Sequence, residues 1–176
     1  MEVYFVRHGK TDYNNKKLLQ GRTDIDLNEE GLKQANTLGR ELQTKNIDFI
    51  ISSPLRRAQE TAYSLNLNCP IFLDDRLIER ELGEYEGKPV STYDFPKYND
   101  YNLNSKDKGV EGIQQVIERI TKFINELKVN YSDSKVVVVS HGALLRYVPC
   151  YFEGIPEDGM IKTNVLNNCE YLYYKI

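Results

Sequence analysis

Residues 135–146 read KVVVVSHGALLR. Four consecutive valines leave no polar alternation, so a strand here is apolar on both faces, as a central strand covered by helices on both sides has to be. The run stops at Ser140, His141 and Gly142, and the "ALLRYVPCY" that follows is a short helix ended or kinked by Pro149. A second β-branched and aromatic run, residues 2–6, stops in the same way at Arg7, His8 and Gly9. His8 and His141 are the two histidines of the chain. In open α/β sheets the ligand crevice lies outside the carboxyl ends of the parallel strands, so two strands ending in His-Gly can meet at one pocket. Spacing alone still leaves room for two unrelated loop histidines.

Between these two strands the pattern alternates. "LNEEGLKQANTLGREL" has Asn28 as N-cap, Glu29 and Glu30 in the first turn, and Leu32, Ala35, Leu38 and Leu42 at helical spacing. "IDFIIS" is a strand, and "SPLRRAQETAYSL" reads as a helix capped by Ser53 with Pro54 at its first position and Ala58, Thr61, Ala62 and Leu65 on one face. A weaker strand, "IFL", covers 71–73, and from Glu111 to about Lys128 an apolar stripe runs through Ile113, Val116, Ile117, Ile120, Ile124 and Leu127. "CEYLYYKI" closes the chain as an edge strand. Such alternation predicts a three-layer α/β/α sandwich with a mostly parallel central sheet, built as one domain over residues 1–176. Residues 88–109 interrupt it with two prolines, many polar residues and Tyr93, Phe95, Tyr98 and Tyr101 in no clear period. A loop of this length inside a compact domain is more often functional than accidental, and it is expected to lie over the pocket as a lid.

The composition narrows the function classes. With 40% hydrophobic and 28% charged residues the chain is globular, and no apolar run reaches the length of a membrane span. A formal net charge of −3 disfavours nucleic acid as partner, because that affinity rests on clustered Lys and Arg. Cys69, Cys150 and Cys169 match neither a disulfide framework nor a Cys-x-x-Cys site, and no basic, apolar leader precedes the first strand; a cytoplasmic protein is expected. Nothing in the pattern indicates an oligomeric state.

Two further stretches carry chemistry: "SSPLRRAQETA", with Arg57 near the start of a helix that follows a strand, and "LIERELGEYEG", with Glu79 before a Gly-x-x-x-Gly turn. Composition does not choose among Glu79, Glu81, Glu84 and Glu86. Together with Arg7-His8-Gly9-Lys10-Thr11 and Asn14, "LLQGRTDIDLNEEG" and "VVVVSHGALLR", in this order, they make the chain resemble the histidine phosphatase superfamily, also called phosphoglycerate mutase-like, from about residue 2 to the last strand.

The resemblance implies a phosphomonoesterase in which His8 attacks phosphorus to form a phosphohistidine. Arg7, Arg57 and His141 would surround the phosphoryl group and Glu79 would donate the proton. Asn14, Gln20 and Gly21 resemble the phosphate-facing loop, and Gly142 is taken as a further substrate contact. Independently of the label, a neutral imidazole is a good nucleophile, guanidinium forks suit phosphoryl oxygens, and a carboxylic acid can protonate a departing alkoxide. Arg56, Glu84 and Glu86 are expected to be solvated. No cofactor and no metal are implied, and the partner is a small phosphorylated metabolite: a sugar phosphate, phosphoglycerate, phosphoserine or α-ribazole phosphate. A phosphoglycerate mutase or a non-catalytic phospholigand-binding relative is the alternative, although mutases of this family carry longer insertions after the glutamate loop. Two departures bear on substrate recognition: Lys10 stands where relatives have Glu or Gln, and "KGVEGIQQV" keeps Glu111 but has Gly112 in place of serine.

Overall fold

The computed structural model describes residues 1–162 and 165–176. Five strands, β1 (Glu2–Arg7), β2 (Phe49–Ser52), β3 (Ile71–Leu73), β4 (Lys135–Ser140) and β5 (Tyr171–Lys175), form one sheet in the order β3-β2-β4-β1-β5. The first four are parallel, and β5 runs antiparallel to β1 at the edge. The helices are α1 (Asp12–Asn15), α2 (Glu29–Leu42), α3 (Arg56–Ser64), α4 (Phe95–Tyr98), α5 (Ile113–Asn130), α6 (Gly142–Leu145) and α7 (Val148–Glu153).

The four valines of β4 explain the layering. Val136 and Val138 enter one core with Val116, Ile120 and Ile124 of α5 and Val148 of α7, whereas Val137 and Val139 enter another with Leu38 and Leu42 of α2 and Ala58 and Ala62 of α3. All four are fully buried, each contributing roughly 1.5–3 kcal/mol relative to exposure. The α/β/α sandwich read from the sequence is therefore the observed architecture, with β4 at its centre.

Three boundaries differ from the sequence reading. Leu32, expected on the buried stripe of α2, is 40% exposed, and Gly31 takes the buried position, because a Cβ there would overlap the Lys10 backbone. Helix α3 starts at Arg56 with Leu55 as an N-cap that makes no side-chain bond; Pro54 lies outside it, and the Ser53 hydroxyl is held by the His141 ring. The stretch after His141 forms two helices, with Pro149 in the first turn of α7, where its missing N–H costs little.

Residues 88–109 are folded. Short 3₁₀ turns and α4 close over a third cluster of Leu19, Leu82, Tyr85, Tyr93, Tyr98 and Val110. The Tyr93 and Tyr98 rings stack at 4.8 Å, and Tyr85 meets both edge-on, which accounts for aromatics that follow neither a helical nor a strand period.

Candidate active site

Parallel pairing of β1 with β4 sets Arg7 opposite Ser140, so the residues that follow each strand meet. The His8 amide donates to the Ser140 carbonyl at 2.9 Å, and the two imidazole rings lie 5.2 Å apart. His8 Nδ1 is 2.7 Å from the Gly9 carbonyl, which can only accept, so the ring proton sits on Nδ1 and Nε2 keeps its lone pair. His141 has the opposite tautomer: Nδ1 accepts from Arg57 Nε at 3.2 Å, and Nε2 donates to Ser53 Oγ at 2.7 Å. Burial, then the charges of Arg57 and Arg7, hold His8 well below the usual imidazole range, and burial does the same to His141 with Arg57 and His8 as the next causes. Both rings are neutral at neutral pH.

The arginines stand beside them. Arg57, in the first turn of α3, is fully buried; Nη1 donates to the Thr23 carbonyl at 2.8 Å and Nη2 to the Gly21 carbonyl at 2.7 Å. Each of these nitrogens has a second N–H beyond those bonds. Burial lowers the guanidinium to about 10, which leaves it charged. Arg7 donates from Nη1 to the Leu166 carbonyl, while its buried Nε has no hydrogen-bond partner among the described residues.

A cavity of about 200 Å³ opens on these groups, and Arg7, His8, Asn14, Gln20, Gly21, Glu79 and Gly142 all line it. Arg57 and His141 are not among its lining residues. Glu79 is 7% exposed; Oε1 accepts from the Arg80 and Leu144 amides at 2.9 Å each, and Oε2 from the Ala143 amide at 3.1 Å, which fixes the carboxyl at the start of α6. Gly21 has φ +51, and a Cβ there would occupy the place of the Glu86 carboxylate. Gly142 lets Arg7 approach, since a Cβ would come within 3.1 Å of its Nε. Asn14 caps the turn at Thr11, with its Oδ1 accepting from the Thr11 amide at 3.1 Å.

Other side chains fall elsewhere. Glu86, expected to be solvated, is half-buried and accepts from the Arg22 and Thr23 amides, both at 2.9 Å, pinning the Gln20–Thr23 turn to the glutamate loop. Glu84 is exposed, and exposed Arg56 pairs with Asp24 and Asp26. Lys10 turns away from the cavity to Glu30 at 2.9 Å. Glu111 holds Arg119 and Arg22 and does not reach the cavity. The sequence reading missed Asn168, whose Nδ2 donates to the His8 carbonyl at 2.9 Å, and it missed Arg80, Asn99, Arg146 and Tyr147 in the cavity wall. Arg80 follows Glu79 directly, but nothing in the sequence marks it as buried.

Among the described residues no three His, Cys, Asp or Glu side chains gather to hold a metal ion, and no helix is long and apolar enough to cross a membrane. Residues 3–175 match the model of the histidine phosphatase superfamily (branch 1). The chain is 33% identical over 171 residues to the uncharacterized phosphatase PhoE of Bacillus subtilis, covering 95% of this chain and 84% of that protein. It is 31% identical over 163 residues to phosphoserine phosphatase 1 of Hydrogenobacter thermophilus, covering 88% and 77%. The solved structure of a mycobacterial glucosyl-3-phosphoglycerate phosphatase complexed with VO3 superposes with a TM-score of 0.88 at 25% identity, covering 98% of this chain and 90% of that one. The fold, the paired histidines at adjoining strand ends and the match over nearly the whole chain place it in one family: the protein belongs to the histidine phosphatase superfamily, branch 1.

Proposed function

We propose that this protein is a phosphoric monoester hydrolase, acting as one domain on a small phosphorylated metabolite through a phosphohistidine at His8. The observation that carries the reading is the state of His8: a buried, neutral ring whose Nδ1 proton is tied to the Gly9 carbonyl and whose Nε2 lone pair remains for attack.

His8 Nε2 forms the bond to phosphorus as the ester P–O bond breaks, and the departing alkoxide takes a proton from the Glu79 carboxyl group. The resulting carboxylate then removes a proton from water, which attacks phosphorus, breaks the P–N bond and restores the lone pair of His8. Arg7 and Arg57 hold the phosphoryl oxygens, where charge is spread in the transition state. Asn14, Gln20, Gly21 and Gly142 complete the site. His141, fixed between Arg57 and Ser53, keeps the Arg57 fork in place. The wall from Val90 to Asn99 selects the leaving group.

Relatives named for phosphoserine and glucosyl-3-phosphoglycerate support a small phosphorylated metabolite as substrate. The test is release of inorganic phosphate from a panel of phosphorylated metabolites and an aryl phosphate, with EDTA present. The expected result is turnover that the chelator leaves unchanged. Isomerisation of 3-phosphoglycerate without phosphate release would indicate a mutase, and absence of turnover on every compound would overturn the reading.

A further inference from the structure

The turn that leads into β5 reaches back to His8 from outside the cavity. Asn168, in this turn, is half-buried and is not among the residues that line the cavity. Its Nδ2 donates to the His8 carbonyl at 2.9 Å and lies 3.3 Å from both the Gly9 carbonyl and Asn14 Oδ1. All three are acceptors. Asn14 Oδ1 already takes the Thr11 amide and hydroxyl, both at 3.1 Å, and the Gly9 carbonyl takes the proton of His8 Nδ1. Three acceptors on one side fix which way the Asn168 amide faces, with one of its two N–H groups shared.

These contacts matter because Gly9 is the joint between the His8 ring and the carbonyl that anchors it, and two successive peptide planes meet there. The His8–Gly9 plane is held at its N–H by Thr61 Oγ1 at 2.9 Å, and the Gly9–Lys10 plane at its N–H by Gln34 Oε1 at 3.0 Å. At their carbonyl ends both planes meet the same group, the Asn168 amide. The turn that carries it is itself clamped. Glu170 accepts from the Asn167 amide and side chain at 2.7 Å each, and the Cys169 amide donates to the Arg7 carbonyl at 3.0 Å. Cys169 has φ +59, a left-handed conformation that a residue with a Cβ rarely adopts and that persists where the surroundings impose it. We infer that Asn168 is a positioning residue for the nucleophile: by holding the His8 and Gly9 carbonyls it keeps the ring proton on Nδ1 and Nε2 free for attack. Its contact with Asn14 Oδ1 leaves the Asn14 amide nitrogen for the phosphoryl oxygens. The bond made at one imidazole nitrogen decides the state of the other, and a misplacement of about 1 Å can cost roughly 100-fold in rate.

This inference rests on the phosphatase reading for what His8 attacks, but the state of the ring can be read without turnover. ¹⁵N NMR of the histidine-labelled protein reports the tautomer of each ring, with the two rings assigned from a His8→Ala spectrum. In the native protein His8 should be the Nδ1–H form and His141 the Nε2–H form. Asn168→Ala should turn His8 into a mixture of tautomers, leave His141 unchanged, and lower kcat/KM for p-nitrophenyl phosphate on the order of 30-fold. Asn168→Asp has nearly the same shape but no N–H for the three acceptors; it provides a second variant should the shorter side chain let the turn collapse, and it should show the same mixture. A His8 that keeps the Nδ1–H form in both variants, or a lowered Tm with tautomer and rate unchanged, would overturn the positioning role. Mixed tautomers in the variants of a protein whose native form hydrolyses no phosphomonoester would overturn the phosphatase reading and leave the role of Asn168 standing.

Discussion

The two ends of the cavity are held in different ways. At the end nearest His8, His8 and His141 sit one residue past the ends of paired strands, and Arg57 lies in the first turn of the helix after β2; sheet register brings them together. At the other end, Tyr93, Phe95 and Asn99 come from a segment with no sheet register, held by an aromatic cluster of its own. The first end is anchored by β4, which is buried on both faces. The second depends on a few ring contacts and on one buried arginine that ties Glu111, Tyr98 and Tyr147 together. A damaging substitution should therefore remove chemistry at the first end and stability or selectivity at the second.

The largest effect is expected from Glu79→Gln. Loss of the acid should lower kcat/KM for an alkyl phosphate such as 3-phosphoglycerate by about 100- to 10,000-fold, the usual contribution of a positioned acid. For p-nitrophenyl phosphate, whose leaving group departs without a proton, the loss should be roughly 10-fold or less, since kcat/KM reports formation of the phosphoenzyme. Equal losses on both would remove Glu79 as proton donor. At the other end, Tyr98→Ala should cost stability first: a fully buried ring stacked on Tyr93 is worth about 3–5 kcal/mol, or roughly 10 °C in Tm for a chain of this size. Thermal unfolding checks it, and an unchanged Tm would mean that the cluster does not hold the wall.

The same division decides what was legible in the sequence. The valine run of β4, the Asn28 cap and the α5 stripe are local patterns, and each produced the expected element: two buried faces make β4 apolar throughout, and one buried face gives α5 its helical period. Arg7, His8, Glu79 and Gly142 lie on the cavity because they sit at strand ends or in turns whose positions follow from the sheet. Ser53 misled, since a serine before Pro-Leu-Arg looks like a cap while its hydroxyl serves His141 across 88 residues. Glu86 misled for the same reason, its partners being in the Arg22–Thr23 turn. Arg80 stayed hidden because an arginine in an acidic loop reads as solvated, and its partners, the Glu111 and Tyr98 carbonyls and the Tyr147 hydroxyl, are distant in the chain. Long-range partners were the part that local periodicity could not supply.

Whether His8 carries the phosphate is decided by rapid-quench labelling with a ³²P-labelled phosphomonoester. The expected product is an acid-labile, base-stable phosphoenzyme that His8→Ala abolishes. Because burial and the two arginines keep His8 neutral, its formation should not decline as pH falls through 6.5, the ordinary imidazole value. Labelling that survives His8→Ala, or a label stable in acid, would rule out a phosphohistidine at His8.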